Sequence, residues 1–386
     1  MPSDPNLAPK QLPSDRHEVI AVLESIHVPW EDFDSSPRTH EALLYKNTIA
    51  GEDDVAARVR DASIVICTIC RLTAETLRQA PYLKCIISHA VGTDHIDLAY
   101  CREANIQVMT CTNCNTESVA EHALSLYFAT RRSLVSVHNT LADFGPGRPN
   151  EWKSKGSLNT LMRDGTGAPP RTCAQETAGV VGHGAVGERV ARLCRALGMK
   201  VMISQRKGSG DAAPVTTEPL ANGQRGEEAG ASGPARAPFA DVLKQATVLF
   251  LALPLTPQSA GLISDPELAL MRPDAVVVNV SRGGIVDEAA VVGALRSRAL
   301  FGYGTDVFAR EPAGGADDSP LLDEGARGLN LTLTGHLAWF SGTTMSNQVR
   351  RVKENLRAFL DGQVGPHGIV VQRDFTLDVR PGVTPT

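Results

Sequence analysis

Residues 177–198 read TAGVVGHGAVGERVARLCRALG, and the rest of the chain is interpreted outward from this stretch. An apolar run typical of a buried strand leads into a glycine-rich turn at 182–187, and an amphipathic helical pattern follows. Gly182 allows the tight turn, Gly184 lets backbone amides approach a pyrophosphate, and Gly187 allows close packing of helix on strand. This context predicts a dinucleotide site at the N-terminus of a helix.

Apolar strands alternate with helical patterns on both sides of this turn, which predicts an α/β fold. On the C-terminal side we predict the six parallel strands of a Rossmann domain and three helices. The strands are at 177–182, 200–204, 247–253, 275–280, 300–306 and 329–334, and the helices at 185–197, 264–271 and 287–297. A last helix is predicted near 343–361.

The N-terminal part predicts a second, smaller parallel sheet, which we expect to be flavodoxin-like. Its strands are predicted at 17–24, 62–67 and 83–89, with helices at 52–60 and 72–79. One long amphipathic helix is predicted over 117–142, capped by Thr116 or Ser118. We expect residues 1–121 plus 340–386 to form a substrate domain, and residues 122–339 to form the dinucleotide-binding domain.

Two segments interrupt the alternation. Residues 144–173 are rich in Gly, Pro and Arg and are interpreted as a long surface connection. Residues 208–238 are low in complexity and too poor in apolar side chains to bury a core, so we predict a disordered insertion. It is not interpreted as a linker between domains, because strands of one sheet are predicted on both sides.

Composition excludes several classes of protein. The chain has 386 residues, of which 42% are hydrophobic and 21% charged, as in ordinary folded domains. A net charge of −5 offers no basic surface for nucleic acid. The N-terminus lacks the apolar core of a secretory signal, and the longest apolar run, at 248–255, is too short to cross a membrane. We therefore expect a cytoplasmic protein with no membrane partner.

The eight cysteines are interpreted as reduced, packed thiols, and no metal is expected. Cys67 and Cys70, and Cys111 and Cys114, have the CxxC spacing. A four-thiolate zinc site and a redox pair are the alternatives that this spacing leaves open.

The end of the second strand after the glycine turn bears on the choice of dinucleotide. Sites that prefer NAD carry an acidic residue here, which binds the ribose 2′-hydroxyl. This chain has Gln205, Arg206 and Lys207 instead. The missing acid and the adjacent cations favour NADP over NAD, because a guanidinium binds phosphate as a fork. Two cations in an ordinary exposed turn are the alternative.

Three residues in the last third of the chain carry the chemistry: Arg282 in NVSRGG, Glu311 in DVFAREP and His336 in LTGHLAW. The first two lie near the predicted carboxyl ends of strands, where α/β proteins bind ligands. A guanidinium can hold a carboxylate, and a carboxylate-backed imidazole can protonate a carbonyl. Taken singly, each residue has an ordinary structural alternative, namely a strand cap, a turn and a core histidine.

These motifs resemble the D-isomer-specific 2-hydroxyacid dehydrogenases over about residues 62–362. The resemblance rests on VGTDHID (91–97), TESVAEHALSL (116–126), GHGAVG (182–187), ALPLTPQSAGLI (252–263), NVSRGGIVDEAAVVGAL (279–295), GTDVFAREP (304–312) and the histidine segment. Within the family the chain is most similar to glycerate dehydrogenases and glyoxylate/hydroxypyruvate reductases. The resemblance implies reduction of a small 2-keto acid with NAD or NADP, and a homodimer formed through the long helix and its neighbours.

The resemblance also implies further site residues. Val91 and Gly92 would bind the substrate carboxylate through the backbone, and Trp339 would limit the size of the substrate or pack at a hinge. Asp306 would lie near the nicotinamide, with a strand-end cap as the alternative. The remaining implied cofactor residues are Ala185, Val186, Leu253, Pro254 and Ser281.

Two departures and two alternatives accompany the resemblance. The family usually has proline before the catalytic histidine, whereas this chain has Gly335, so His336 is expected to be less firmly held. The segment at 208–238 interrupts the adenosine end of the site. The HLAW segment is also similar to that of C-terminal-binding-protein corepressors, so a nucleotide-sensing scaffold is the alternative function. Formate dehydrogenases pair their histidine with glutamine, and Glu311 argues against them.

Overall fold

The computed structural model of the chain describes residues 6–27, 29–49, 51, 53–208, 235–363 and 367–376. The chain divides into two compact units. Unit 1 comprises Met1–Asn115 and Ser341–Thr386, and unit 2 comprises Thr116–Phe340. Among the described residues, no helix has both the length and the apolar composition to cross a membrane.

The strands of the described residues are β1 (His17–Val22), β2 (Thr39–Leu44), β3 (Ile64–Cys67), β4 (Cys85–Ser88), β5 (Gln107–Thr110), β6 (Thr177–Val181), β7 (Lys200–Ile203), β8 (Val248–Leu251), β9 (Val276–Asn279), β10 (Gly302–Thr305), β11 (Leu331–Leu333) and β12 (Ile369–Val371).

Their helices are α1 (Val55–Arg60), α2 (Ala74–Arg78), α3 (Leu98–Glu103), α4 (Thr116–Arg131), α5 (Leu134–Ala142), α6 (Glu151–Lys155), α7 (Ala185–Ala196), α8 (Phe239–Gln245), α9 (Asp265–Leu268), α10 (Glu288–Arg296) and α11 (Gly342–Leu360). Short 3₁₀ turns lie at Asn159–Met162, Cys173–Gln175, Pro320–Leu322 and Glu324–Ala326.

Unit 1 is built on one sheet with the strand order β12-β5-β4-β3-β1-β2. Strands β1 to β5 run parallel in the flavodoxin-like order 2-1-3-4-5, as predicted, and β12 is antiparallel to β5. The sequence patterns did not predict β2, β5 and β12. Strand β2 lies at the edge of the sheet and has only one buried residue, so it lacks the apolar run that marks a central strand.

Unit 2 is built on a fully parallel sheet with the order β11-β10-β9-β8-β6-β7, and all six predicted strands are present. Outside β7, a single parallel bridge pairs Ser204 with Ala237. This bridge occupies the position of the third strand in the Rossmann order 3-2-1-4-5-6. The chain reverses its strand order between β6 and β8, where such sheets bind ligands.

The prediction of one continuous helix over 117–142 is wrong. Helix α4 ends at Arg131, and Ser133 adopts a left-handed conformation with a φ of +46° before α5 begins. The two helices have different environments, since α4 buries an apolar face in unit 2 whereas none of the residues of α5 is buried. Ser118 lies inside α4, which begins at Thr116, and its hydroxyl donates to the carbonyl of Trp339 at 3.2 Å.

The structure describes one of the two segments that interrupt the predicted alternation and leaves out most of the other. The predicted surface connection at 144–173 contains α6 and the turn Asn159–Met162. The predicted disordered insertion at 208–238 lies largely outside the described residues, which resume at Ala235. The predicted last helix is confirmed as α11, whose first turn is capped by the Ser341 hydroxyl.

Candidate active site

The glycine turn lies between β6 and α7. Gly182 has a φ of +90°, and a Cβ there would lie 2.3 Å from the carbonyl oxygen of Ala252. A Cβ at Gly187 would lie 2.0 Å from the Gly182 carbonyl oxygen, so both positions require glycine.

At Gly184, by contrast, a Cβ would meet nothing within 4 Å, so the space beside this residue is open. Gly184 is the N-cap of the twelve-residue α7 and offers no side chain to the first helical amides. These amides are therefore available to an anion, and the turn fits the pyrophosphate of a dinucleotide. Ala185 and Val186 form the first turn of α7 beside this space.

At the end of β7 the structure separates the two cations that the sequence had grouped together. Lys207 forms an ion pair with Glu267 at 2.8 Å, so its charge is already compensated. Arg206 is exposed, and Gln205 is half-buried. The argument for a 2′-phosphate that used Lys207 is therefore weakened, and Arg206 is the other cation of this turn.

Arg282 follows β9 in a turn organised by Asn279. The Asn279 side chain accepts from the amide and the hydroxyl of Ser281 at 3.1 and 2.7 Å, and donates to the Arg282 carbonyl at 3.0 Å. The half-buried Arg282 side chain donates from Nη1 to the Ser281 carbonyl at 2.8 Å. A Cβ at Gly283 would lie 1.7 Å from the Phe308 carbonyl oxygen. Because Gly283 has no side chain, the turn after β9 can contact the segment after β10.

That segment after β10 presents Glu311 to His336. Oε2 of Glu311 lies 2.6 Å from Nδ1 of His336, and Oε1 accepts from the Phe308 amide at 2.8 Å. Burial raises the pKa of Glu311, but the hydrogen bond and charge of His336, the Phe308 amide and the charge of Arg282 together hold it below its usual value. Glu311 is therefore a carboxylate at neutral pH, and Arg282 acts on it electrostatically.

The His336 segment is held by Asp306 at the end of β10. Its buried carboxylate accepts from the Thr334 hydroxyl at 2.6 Å and from the amides of Leu337 and Ala338, both at 2.8 Å. The His336 amide donates to the Asp306 carbonyl at 2.7 Å. Contact of Asp306 with a nicotinamide stays a prediction, but the strand-end cap that the sequence also allowed is present.

Three further residues of this site were not assigned from the sequence. His122, on α4, has its Nε2 2.9 Å from the Thr334 hydroxyl and 3.6 Å from the Asp306 carboxylate. Thr334 and Asn279 complete the set. Both end or directly follow apolar strands, as VVVN (276–279) and LTLT (331–334), and a polar residue at that position was the signal available.

The remaining predicted cofactor residues lie in unit 2 near these turns. Leu253 has its Cβ 2.9 Å from the position of a Cβ at Gly182. The carbonyl of Pro254 accepts from the Ser259 hydroxyl at 2.7 Å. Ser281 is buried, and its hydroxyl is occupied by Asn279.

The predicted substrate residues are distributed over both units. Val91 and Gly92 follow β4 in unit 1, where Val91 is exposed and the Gly92 carbonyl accepts from Ser88 at 3.3 Å. Trp339 belongs to unit 2 and packs its ring edge-on against Phe340, with 5.4 Å between the centroids. Within unit 2 the structure brings Arg282, Glu311 and His336 together.

The cysteines of the chain are free, and seven of the eight are buried. Burial raises the pKa of Cys70 and of Cys114 to about 12 each, so these thiols are protonated at neutral pH. In the described part of the chain, no group of three or more His, Cys, Asp or Glu side chains could hold a metal ion.

Comparison with known proteins identifies the relatives of this arrangement. A sequence model described as "D-isomer specific 2-hydroxyacid dehydrogenase, NAD binding domain" matches residues 150–338. A glycerate dehydrogenase of Methylorubrum extorquens is 31% identical over 356 residues, covering 92% of this chain and 97% of that protein. A glyoxylate reductase of Thermococcus onnurineus is 29% identical over 327 residues, which cover 84% of this chain and 87% of that reductase.

Solved structures agree with the fold. A crystal structure of a Thermus thermophilus protein matches with a TM-score of 0.69 and 27% identity, over 92% of this chain and all of that one. The relatives match nearly the whole length of the chain, and the glycine turn and the two sheets agree with the same family. The chain belongs to the D-isomer-specific 2-hydroxyacid dehydrogenases, oxidoreductases that use NAD or NADP.

Proposed function

We propose that this enzyme reduces a small 2-keto acid to the D-2-hydroxy acid, with hydroxypyruvate and glyoxylate as candidate substrates. One observation carries the proposal: His336 and Glu311 are hydrogen-bonded at 2.6 Å, and the charge of Arg282 acts on the same carboxylate. The substrate class is supported by relatives named glycerate dehydrogenase and glyoxylate reductase.

Each of the three side chains has a distinct role in this proposal. Arg282 binds the substrate carboxylate through its forked guanidinium and polarises the keto oxygen. His336, held through Nδ1, donates a proton from Nε2 to that oxygen as negative charge develops. Glu311 is hydrogen-bonded to Nδ1 of the ring and fixes its orientation. Bound NADH or NADPH supplies the hydride, and in the oxidation direction the same ring removes the hydroxyl proton.

The cofactor would be held by the glycine turn and the strand ends around it. Gly184 leaves room for the pyrophosphate beside the first amides of α7, and Gly182 and Gly187 allow the tight turn and the close packing that bring β6 and α7 together there. We favour NADP over NAD because Gln205 brings no charge to the ribose and Arg206 follows it. The other proposed contacts are with Ala185, Val186, Leu253, Pro254, Ser281 and Asp306.

Unit 1 is the proposed substrate domain. Its backbone amides at Val91 and Gly92 follow β4 at the carboxyl edge of a parallel sheet, which is where such sheets bind ligands. Trp339 is the proposed wall that limits the size of the substrate side chain, because it offers a large rigid ring three residues after His336.

A panel of 2-keto acids assayed with NADH and NADPH tests the proposal, with Arg282→Ala as the diagnostic variant. Loss of the guanidinium should lower kcat/KM on the order of a hundredfold or more, because charge on the keto oxygen is then uncompensated. Arg327→Ala, which removes an exposed guanidinium paired with Glu324 at 3.7 Å, is the matched control and should retain full turnover.

Two outcomes would contradict the proposal in different ways. Full turnover by Arg282→Ala would remove Arg282 from its role while leaving the reaction intact. Binding of NADPH without reduction of any small keto acid would replace the reductase with the nucleotide-sensing scaffold that the corepressor-like HLAW segment suggests.

The proposed assembly is a homodimer formed through α4 and the segments that follow it. Large apolar side chains are exposed along this stretch: Leu134 is 52% exposed, Phe144 69% and Trp152 56%. Exposed apolar side chains concentrated on one segment are typical of a surface that another chain covers.

A further inference from the structure

The chain on the far side of the low-complexity segment returns directly to the end of β7. The Ala237 amide donates to the Ile203 carbonyl at 2.8 Å, and the Gln205 amide donates to the Ala237 carbonyl at 2.8 Å. These bonds, with the parallel bridge between Ser204 and Ala237, hold the returning chain in register. Arg236 is therefore a fixed neighbour of Gln205, although the two residues are 31 positions apart.

The Gln205 side chain also contacts Arg236, through one of its two polar atoms. Its Nε2 donates to the Arg236 carbonyl at 3.3 Å, which sets the orientation of the amide. Oε1 is then buried without a hydrogen-bond partner among the described residues. The amide is thus held as a neutral group where NAD-preferring sites carry an acid, so no negative charge at this position repels a 2′-phosphate.

The charges around this point are positive. Arg236 is exposed. Burial lowers the pKa of His183, in the glycine turn; Glu188 raises it, and the positive charges of Arg236 and Arg195 lower it further. The charge of Arg236 therefore reaches the same turn that would hold the pyrophosphate.

We propose that Arg236 binds the 2′-phosphate of NADP together with Arg206. The proposal rests on the NADP preference stated above and adds the residue that determines it. A phosphate between two guanidinium groups gains charge-assisted hydrogen bonds that NAD cannot make. The low-complexity segment would thus connect two sides of one subsite.

The test measures binding without turnover. Titration calorimetry of the full chain compares adenosine 2′,5′-bisphosphate with 5′-AMP, which differ only in the 2′-phosphate. Arg236→Gln should weaken the bisphosphate by about tenfold and leave 5′-AMP within about twofold, because one charge-assisted contact is lost. Lys244→Gln removes one exposed positive charge from α8 and is the matched control, which should change neither affinity.

Each other outcome overturns the proposal and identifies which part fails. If Arg236→Gln weakens both ligands equally, Arg236 acts on the fold of the subsite and not on the 2′-phosphate. If it weakens neither, while the native chain prefers the bisphosphate, another residue determines the preference. If the native chain binds both ligands equally, the NADP preference itself is wrong, whereas keto-acid reduction, measured separately, can still stand.

Discussion

His336 is held in place by its neighbours and not by its own backbone preference. Its φ of +57° lies in the left-handed region, which costs a non-glycine residue on the order of 1 kcal/mol. Its amide is bonded to the Asp306 carbonyl and its ring to Glu311. A proline before the histidine is therefore not the only means of fixing it, because Asp306 also binds the two amides that follow.

Replacing Glu311 with Gln should lower the rate of reduction. The amide removes the carboxylate that is hydrogen-bonded to the His336 ring and fixes its orientation, so kcat/KM for the best keto acid should fall on the order of tenfold or more. Steady-state kinetics of the variant and the native enzyme measure this loss. Native kcat/KM in the variant would show that the ring is oriented without the Glu311 carboxylate.

The stability of the protein should respond to the same substitution in acid. The pKa of Glu311 is lower in the folded protein than in the unfolded chain. Its ionised form therefore stabilises the fold at pH values above the unfolded pKa, and this stabilisation is lost as the pH falls through the folded pKa. Urea unfolding at several acidic pH values should show a weaker loss of stability in Glu311→Gln than in the native chain. An equal loss in both would exclude this linkage.

At the scale of elements, the strand ends converge because glycine allows them to touch. The turn after β9 meets the segment after β10 at Gly283, where a Cβ would overlap the Phe308 carbonyl. Along β10 itself, α4 packs directly on the strand, since a Cβ at Gly302 would lie 2.5 Å from the Thr130 side chain. Glycines thus allow close approach both at β10 and at the segment that follows it.

Gly283→Ala should separate these two turns. The added methyl group must displace backbone, which should cost at least about 2 kcal/mol of stability and move Arg282 away from Glu311. Gly293→Ala is the matched control, because that glycine lies inside α10 with nothing within 4 Å of the new Cβ. It should raise stability by about 0.5–1 kcal/mol and leave activity unchanged.

Urea unfolding and kcat/KM of the two variants give the comparison. A Gly283→Ala enzyme with native stability and turnover would show that the contact between the turns is not needed to bring the guanidinium and the carboxylate together.

At the scale of the whole molecule, one buried arginine ties α4 to the sheet of unit 2. Arg131 donates to the carbonyls of Asp274 and Thr247, each at 2.7 Å, and to Glu176 at 3.1 Å. Glu176 also accepts from the Tyr127 hydroxyl at 3.2 Å and from the Thr247 hydroxyl. Arg131 and Glu176 are both buried, so neither can exchange its partner for water.

Arg131→Met should destabilise unit 2 by about 3–5 kcal/mol, because it leaves the Glu176 carboxylate buried without its cation. Arg148→Met removes the partner of an exposed pair with Asp143 and should have no measurable effect. The midpoints of urea unfolding compare the two variants. Equal midpoints would mean that the hydroxyl groups around Glu176 suffice to hold it.

The proposed homodimer can be tested through its exposed apolar residues. Leu134→Glu combined with Phe144→Glu should convert the dimer to a monomer, because charge cannot be buried at an apolar interface without a partner. Light scattering after size-exclusion chromatography measures the mass in solution. A monomeric native chain, or a dimer that persists in the double variant, would contradict the proposed interface.

Local patterns predicted the elements whose burial is regular. The six strands of unit 2 were predicted because each is an apolar run between turn signals, and α7, α10 and α11 because their apolar residues recur with helical spacing. The same reasoning missed the edge strand β2, which has only one buried residue. It also joined α4 to α5, because the break at Ser133 depends on how Arg131 enters the core and not on a local stop signal.

The sequence by itself determined the family, the glycine turn, and the types and order of the three reacting side chains, because these are encoded in short motifs. Only the tertiary structure decided which side chains remain available to a ligand. It assigned Lys207 to Glu267, bound Asp306 to the amides after His336, and brought Arg236 beside Gln205. Such pairings depend on strand order and register between distant segments, which no local pattern of residues specifies.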